Sequence, residues 1–136
     1  PKPSLLSDDP VIRAQIKAFA QTIVCDIHPL NNLRVLQYLK GNLAVSEEQK
    51  TDWYLHWVKL GFEALETIIA QSLIQQTYCF SEQPSMADIC LIPQIYNANR
   101  FNCPMENYPN LQRINRNCLQ LEAFIAAIPE NQPDAC

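Results

Sequence analysis

CDIHPLNNLRVLQYL, residues 25–39, sets a helical pattern against a helix breaker. Ile27, Leu30, Leu33, Leu36 and Leu39 recur at steps of three, the spacing of an apolar stripe on a helix. Pro29 lies inside that stripe. It has no N–H to offer an interior turn, and its ring clashes with the carbonyl four residues back. His28, Asn31 and Asn32 crowd around it, and asparagine is a poor helix former because its amide competes for backbone partners. The periodicity decides the matter, because it continues upstream through Ile12, Ile16, Phe19 and Ile23. One long first helix is therefore predicted from Pro10 to about Gly41, with Pro29 as the place where it bends. Ser7-Asp8-Asp9-Pro10 supplies its start: acidic residues suit the positive end of the helix dipole, and proline suits the first position.

The rest of the chain reads the same way. Ser46 with Gln49 three residues on is a capping box, and it opens a second helix. Trp53, Trp57, Leu60, Ala64, Leu65, Ile68, Ile69 and Ser72 form its expected stripe. Gly61 interrupts it. Glycine costs about 1 kcal/mol there against alanine, so a close contact is expected at that point. The two long helices, joined by a short loop, read as an antiparallel hairpin. Gln76 to Pro84 is a polar connector. Ser85-Met86-Ala87-Asp88 is a second capping signature and opens a third helix through Ile89, Leu91, Ile92, Ile95 and Tyr96, with Pro93 inside it. Asp88 precedes a strongly apolar run and is expected to be buried and bonded to the Ser85 amide and nearby backbone donors. Tyr108-Pro109 opens a fourth helix through Leu111, Ile114 and Cys118; Leu121, Phe124, Ile125 and Ile128 continue as a short fifth. The tail PENQPDAC is expected to be irregular. The fold class is all-α, a bundle of five to six helices with no strand.

Composition narrows the function. The 136 residues suffice for one domain with a real core, and 48% hydrophobic residues argue against disorder. Two glycines, Gly41 and Gly61, leave no room for a glycine-rich phosphate loop. A net charge of −4 without a basic block makes nucleic acid a poor partner. No apolar run reaches the length of a membrane span, and PKPSLLSDDP lacks the basic and apolar regions of a signal peptide. Cys25, Cys79, Cys90, Cys103, Cys118 and Cys136 contain no CxxC pair, so no metal is expected. They are read as free thiols in a reducing cytoplasm, with Cys25 and Cys90 in the core.

A few polar residues stand out against the apolar runs. His28 is either a hydrogen-bonded structural residue or a group facing a cleft. Asn31 and Asn32 either satisfy the kink at Pro29 or expose amides to a ligand. Arg100 ends an apolar helix, where a basic residue is favourable in any case; its planar fork also suits a carboxylate clamp. Arg34 serves the helix surface or a neighbouring acid. None of the cysteines has the local cations or helix start that activate a nucleophilic thiol. The residues by themselves do not reach a reaction.

Taken together, CDIHPLNNLRVLQYL, GFEALE, SMADICLIPQIYNANRF, YPNLQRIN and NQPDA occur in an order that resembles the C-terminal helical half of the zeta-class glutathione transferases, the maleylacetoacetate and maleylpyruvate isomerases. The resemblance covers about residues 8–135. It implies an all-α domain over 8–128, an irregular tail over 129–136, and residues 1–7 as linker or remnant of an N-terminal thioredoxin-like domain. That domain binds glutathione and carries the thiol-activating Ser-Ser-Cys, which this chain lacks, so the chain alone is expected to be inactive. The resemblance implies cis–trans isomerisation of a maleyl dicarboxylic acid by reversible addition of a glutathione thiolate. Arg100 matches the residue that holds a substrate carboxylate, and His28 and Asn32 match polar residues lining the site. Asn31 and Asn32 match positions near glutathione, and Pro29, Ser85 and Asp88 are structural. A homodimer in the cytoplasm is implied. Two other readings stand beside this one: maleylpyruvate isomerase or general glutathione transferase, and a stand-alone, non-enzymatic binding module.

Overall fold

The first helical run breaks twice where a single bend at Pro29 was expected. Helix α1 spans Pro10–Gln21, and the Asp9 carboxylate caps it, accepting from Val11 N at 2.8 Å and Ile12 N at 3.0 Å. Thr22–Ile27 then widens into a π-helical turn, in which the His28 N–H reaches the Ile23 carbonyl. Pro29 withholds the N–H that a regular turn would need, and the wide turn absorbs the loss. Helix α2 is the short His28–Asn31, with Pro29 in its first turn, where a missing N–H costs nothing. Asn32 leaves the helix at ψ 161°, and its side chain caps α3, Leu33–Gly41, accepting from Val35 N at 3.2 Å. The break is thus at Asn32, and Pro29 starts a helix instead of bending one. The computed structural model describes residues 4–71 and 75–135; residues 1–3 of the expected linker, Ser72 of the expected stripe, and Cys136 lie outside them.

Helix α4, Glu47–Ala70, begins at the Ser46–Gln49 capping box as expected. Its buried face is Tyr54, Val58, Phe62, Leu65 and Ile69, one residue out of phase with much of the stripe read from sequence. Leu60 and Ile68 are exposed, and Trp53 and Trp57 are half-buried. The physical reason is the Trp53 indole N–H, which donates to the Leu30 carbonyl at 2.9 Å; this places Trp53 at the seam with α2 and leaves Tyr54 to face the core. Gly61 serves the expected close contact. A Cβ there would lie 2.3 Å from Ile27, which is fully buried in the π turn. The π turn also corrects the reading of Cys25: Ile23 and Ile27 turn inward, and Cys25 lies exposed.

Helix α5, Met86–Arg100, starts at Ser85, and Asp88 is fully buried as expected. Its carboxyl accepts from Ser85 N and Ser85 Oγ, both at 2.8 Å, and from Cys79 N at 2.9 Å. The Met86 N–H meets the Leu5 carbonyl at 2.9 Å, which docks the N-terminal segment on the same helix start. Helix α6, Pro109–Cys118, is capped across the fold: Glu66 of α4 accepts from Asn110 N and Leu111 N at 3.0 Å each. Helix α7, Glu122–Ala126, is short, and the tail expected to be irregular holds one 3-10 turn, Pro129–Asn131. Among the described residues there is no strand. Helix α5 packs against α1, the π turn and α6, and α4 packs against the π turn, α2, α3 and α6. Cys79, Cys103 and Cys118 are buried, Cys90 is half-buried, and these and Cys25 are free thiols.

Candidate functional site

Arg100 is the last residue of α5, a favourable place for a cation beside the unpaired carbonyls of a helix end. It is exposed and makes no hydrogen bond or salt bridge among the described residues, so its guanidinium donors are free. It lines an open groove of about 1110 Å³ with Ile89, Pro93 and Tyr96 of α5, Phe124 of α7, and Pro129. Most of the groove wall is apolar; Arg100 supplies a cation and Glu122 a carboxylate. The Tyr96 hydroxyl, one helical turn earlier, donates to Glu130 at 2.6 Å and ties the 3-10 turn over α5. That bond holds the Glu130 carboxyl below its ordinary range, to which Arg100 adds, and it pushes the Tyr96 phenol up against the opposing pull of Arg100.

His28, Asn31 and Asn32 lie at the other break in the chain, and none of them lines this groove. His28 is exposed at the start of α2. Asn32 uses its Oδ1 as the cap of α3, which leaves its Nδ2 pair as possible donors to a ligand. Asn31 is buried; its Nδ2 donates to the Tyr54 carbonyl at 3.2 Å, and its Oδ1 has no partner. Sequence reasoning kept Asn31 and Asn32 together as a pair of amides. The structure separates them into a buried staple and a helix cap.

The residue that sequence reasoning missed is Tyr54. It is 2% exposed, and its ring stacks on Phe101 with centroids 3.7 Å apart and planes at 12°. Burial pushes its phenol up to about 12, aided by the Cys103 thiol; the Gln94 side chain and Arg100 pull it the other way. Its signal was present in the sequence: Tyr54 shares a helical face with Val58, Phe62, Leu65 and Ile69. The nearby tryptophans drew the reading off that face. Among the described residues, no group of three His, Cys, Asp or Glu could hold a metal. No helix there is long and apolar enough to cross a membrane.

No protein-family model matches the chain. A probable maleylacetoacetate isomerase of Vibrio cholerae is 47% identical over 136 residues, covering 100% of this chain and 62% of that protein. The chain thus spans less than two thirds of that relative's length. A holo maleyl pyruvate isomerase, described as a bacterial zeta-class glutathione transferase, superposes with a TM-score of 0.98 at 36% identity, over 100% of this chain and 64% of its own. The maleylpyruvate isomerase of Pseudomonas aeruginosa PAO1 gives 0.95 at 41%, over 100% and 71%. A maleylacetoacetate isomerase of Anaeromyxobacter dehalogenans, at 0.93 and 34% over 100% and 60%, holds dicarboxyethyl glutathione and citrate in its active site.

Proposed function

The chain belongs to the zeta-class glutathione transferases, the family of maleylacetoacetate and maleylpyruvate isomerases, and from that membership we propose that it is the substrate-binding helical part of a glutathione-dependent maleylacetoacetate cis–trans isomerase of tyrosine and phenylalanine breakdown. The observation that carries this reading is the guanidinium of Arg100, without a hydrogen-bond partner among the described residues, on the wall of a mostly apolar groove. A planar fork with no internal acid bound to it is suited to receive a carboxylate through two parallel hydrogen bonds. The substrate carries two carboxylates, and Arg100 holds one of them.

Glutathione, when bound, supplies the thiolate that adds to the double bond. Exposed His28 and the free Nδ2 of Asn32 fit an amide- and carboxylate-bearing tripeptide or the enolate oxygen that develops on the acid, to which they would donate. No residue of this chain activates the thiol in this reading. That task falls to a thioredoxin-like portion linked through residues 1–7, with 8–128 as the helical domain and 129–136 as its tail. Exposed Val11, Val24, Leu33 and Tyr38 on the first helical run, with Leu60 and Ile68 on α4, support a homodimer. The free thiols support a reducing, cytoplasmic setting.

The test is kinetic. Full-length protein isomerises maleylacetoacetate only with glutathione, and Arg100→Ala raises KM for the acid. Ordinary KM in that variant removes Arg100 from the site. The resemblance to two maleylpyruvate isomerases favours a second reading, in which maleylpyruvate is the substrate. The ratio of kcat/KM for the two acids separates them. Absence of any isomerase or transferase activity in the full-length protein leaves the stand-alone binding module.

A further inference from the structure

The two halves of the proposed site are far apart in sequence, and His28 and Asn32 do not line the groove that holds Arg100. One half lies at the break between α2 and α3 and holds His28 and Asn32; the other lies at the end of α5 and holds Arg100. Arg100 has no partner of its own among the described residues, so the course of its helix end decides where its guanidinium points. Three features shape that end. The Phe101 N–H closes it on the Ala98 carbonyl at 3.1 Å, the Cys103 N–H bonds the same carbonyl at 3.0 Å, and Asn102 takes a left-handed φ of 53° that turns the chain away. All of these are local to the turn. The ring of Phe101 stacks on Tyr54 at 3.7 Å and ties the turn to α4, beside Cys103, which is buried in the core. The backbone of the same α4 turn is tied to the other half of the site. The Tyr54 carbonyl accepts from Asn31 Nδ2 at 3.2 Å, and the neighbouring Trp53 indole donates to Leu30 at 2.9 Å.

We propose that Tyr54 is a positioning residue: its ring, through Phe101, holds the Arg100 end of α5 to the turn of α4 whose backbone is tied through Asn31 to the His28–Asn32 break, so that the stack sets where Arg100 lies relative to that break. This rests on the reading of Arg100 as the carboxylate clamp. A stacked aromatic pair suits the task because two large flat faces in contact resist tilting of one ring against the other. An aliphatic residue at 54 fills the space and leaves the helix end free to shift. A shift of about 1 Å in a binding group is enough to cost a large factor in rate or affinity.

The experiment uses the full-length protein, with KM and kcat measured for maleylacetoacetate in Tyr54→Phe, Tyr54→Leu and Phe101→Leu, each alone and combined with Arg100→Ala. Tyr54→Phe keeps the stack and stays within about twofold of the parent. Tyr54→Leu and Phe101→Leu raise KM for the acid about tenfold, with kcat less affected, and add nothing once Arg100 is gone. Phe101 is only partly buried, so its variant carries the test if Tyr54→Leu does not fold. Two results overturn the inference while Arg100→Ala still raises KM: stack variants with ordinary KM, or stack variants whose effect persists undiminished beside Arg100→Ala. If Arg100→Ala itself leaves KM unchanged, the clamp reading fails first and the inference falls with it.

Discussion

At the N-terminal end of α5, Asp88 is fully buried and its carboxyl accepts from Ser85 and Cys79; at the other end of the same helix, Arg100 is exposed and no acid among the described residues is bonded to it. Both residues obey the helix dipole, a carboxyl at the start and a cation at the finish. They differ in whether the fold has used up their hydrogen bonds. Burial of a polar group is tolerated only when partners replace water, so the closed end is a stability device. A charged group left with its donors free in a groove is open to a ligand. The same rule sorts the amides at the first break: Asn31 is buried into a staple, whereas Asn32 spends one atom on a cap and keeps the other free.

Removing the closed end has the largest expected effect. Asp88→Ala strands two N–H donors and a hydroxyl, and stability falls by more than about 3 kcal/mol, visible as a lowered urea midpoint. Arg100→Ala breaks the comparison from the other side. KM for the acid rises about 10- to 100-fold, about 1.4 to 2.7 kcal/mol, with thermal stability unmoved. A large loss of stability in that variant would mean that both ends are structural. Gly61→Ala drives a methyl into Ile27 and costs about 1–2 kcal/mol despite the better helix propensity, read by the same denaturant titration. Asn32→Ala loses a cap worth about 1 kcal/mol. Asn32→Asp keeps the cap and removes the donor, so a changed KM at constant stability isolates the ligand-facing half of that side chain.

The smallest effect at neutral pH comes from the buried acids near each end of α5. Burial pushes Tyr54 from 10.0 to about 12, and burial together with Asp88 pushes Cys118 from 9.0 to about 12. Both pKa values are raised on folding, so the unfolded chain loses these protons first. Their contribution is fully present below about pH 9 and is lost as pH rises toward 12. Thermal unfolding followed across that range shows the decline, and Tyr54→Phe shallows its upper part.

Much of the fold was legible in the sequence because capping is local chemistry. Ser46 with Gln49, and Ser85 with Asp88, announce helix starts within four residues, and both starts stand where they were read. The phase of α4 was misread because Trp53 and Trp57 are large and apolar by composition. The placement of Trp53 depends on where its indole N–H finds a carbonyl, and that partner is Leu30 on another helix. The break at residues 22–32 was located but assigned to the wrong residue. Proline limits its own neighbourhood, but whether the chain bends, widens or restarts depends on what Ile27 packs against, and Gly61 supplies that space.

By itself, the sequence determined the helical class, the helix starts at Pro10, Ser46, Ser85 and Pro109, the buried Asp88 box and the polar residues with donors to offer, because periodicity and caps act over a few residues. Only the tertiary structure decided which of those polar groups are consumed and which stay free. It alone brought Tyr54 onto Phe101 and Asn31 onto Tyr54, because such contacts join residues that are neighbours only after the helices have packed.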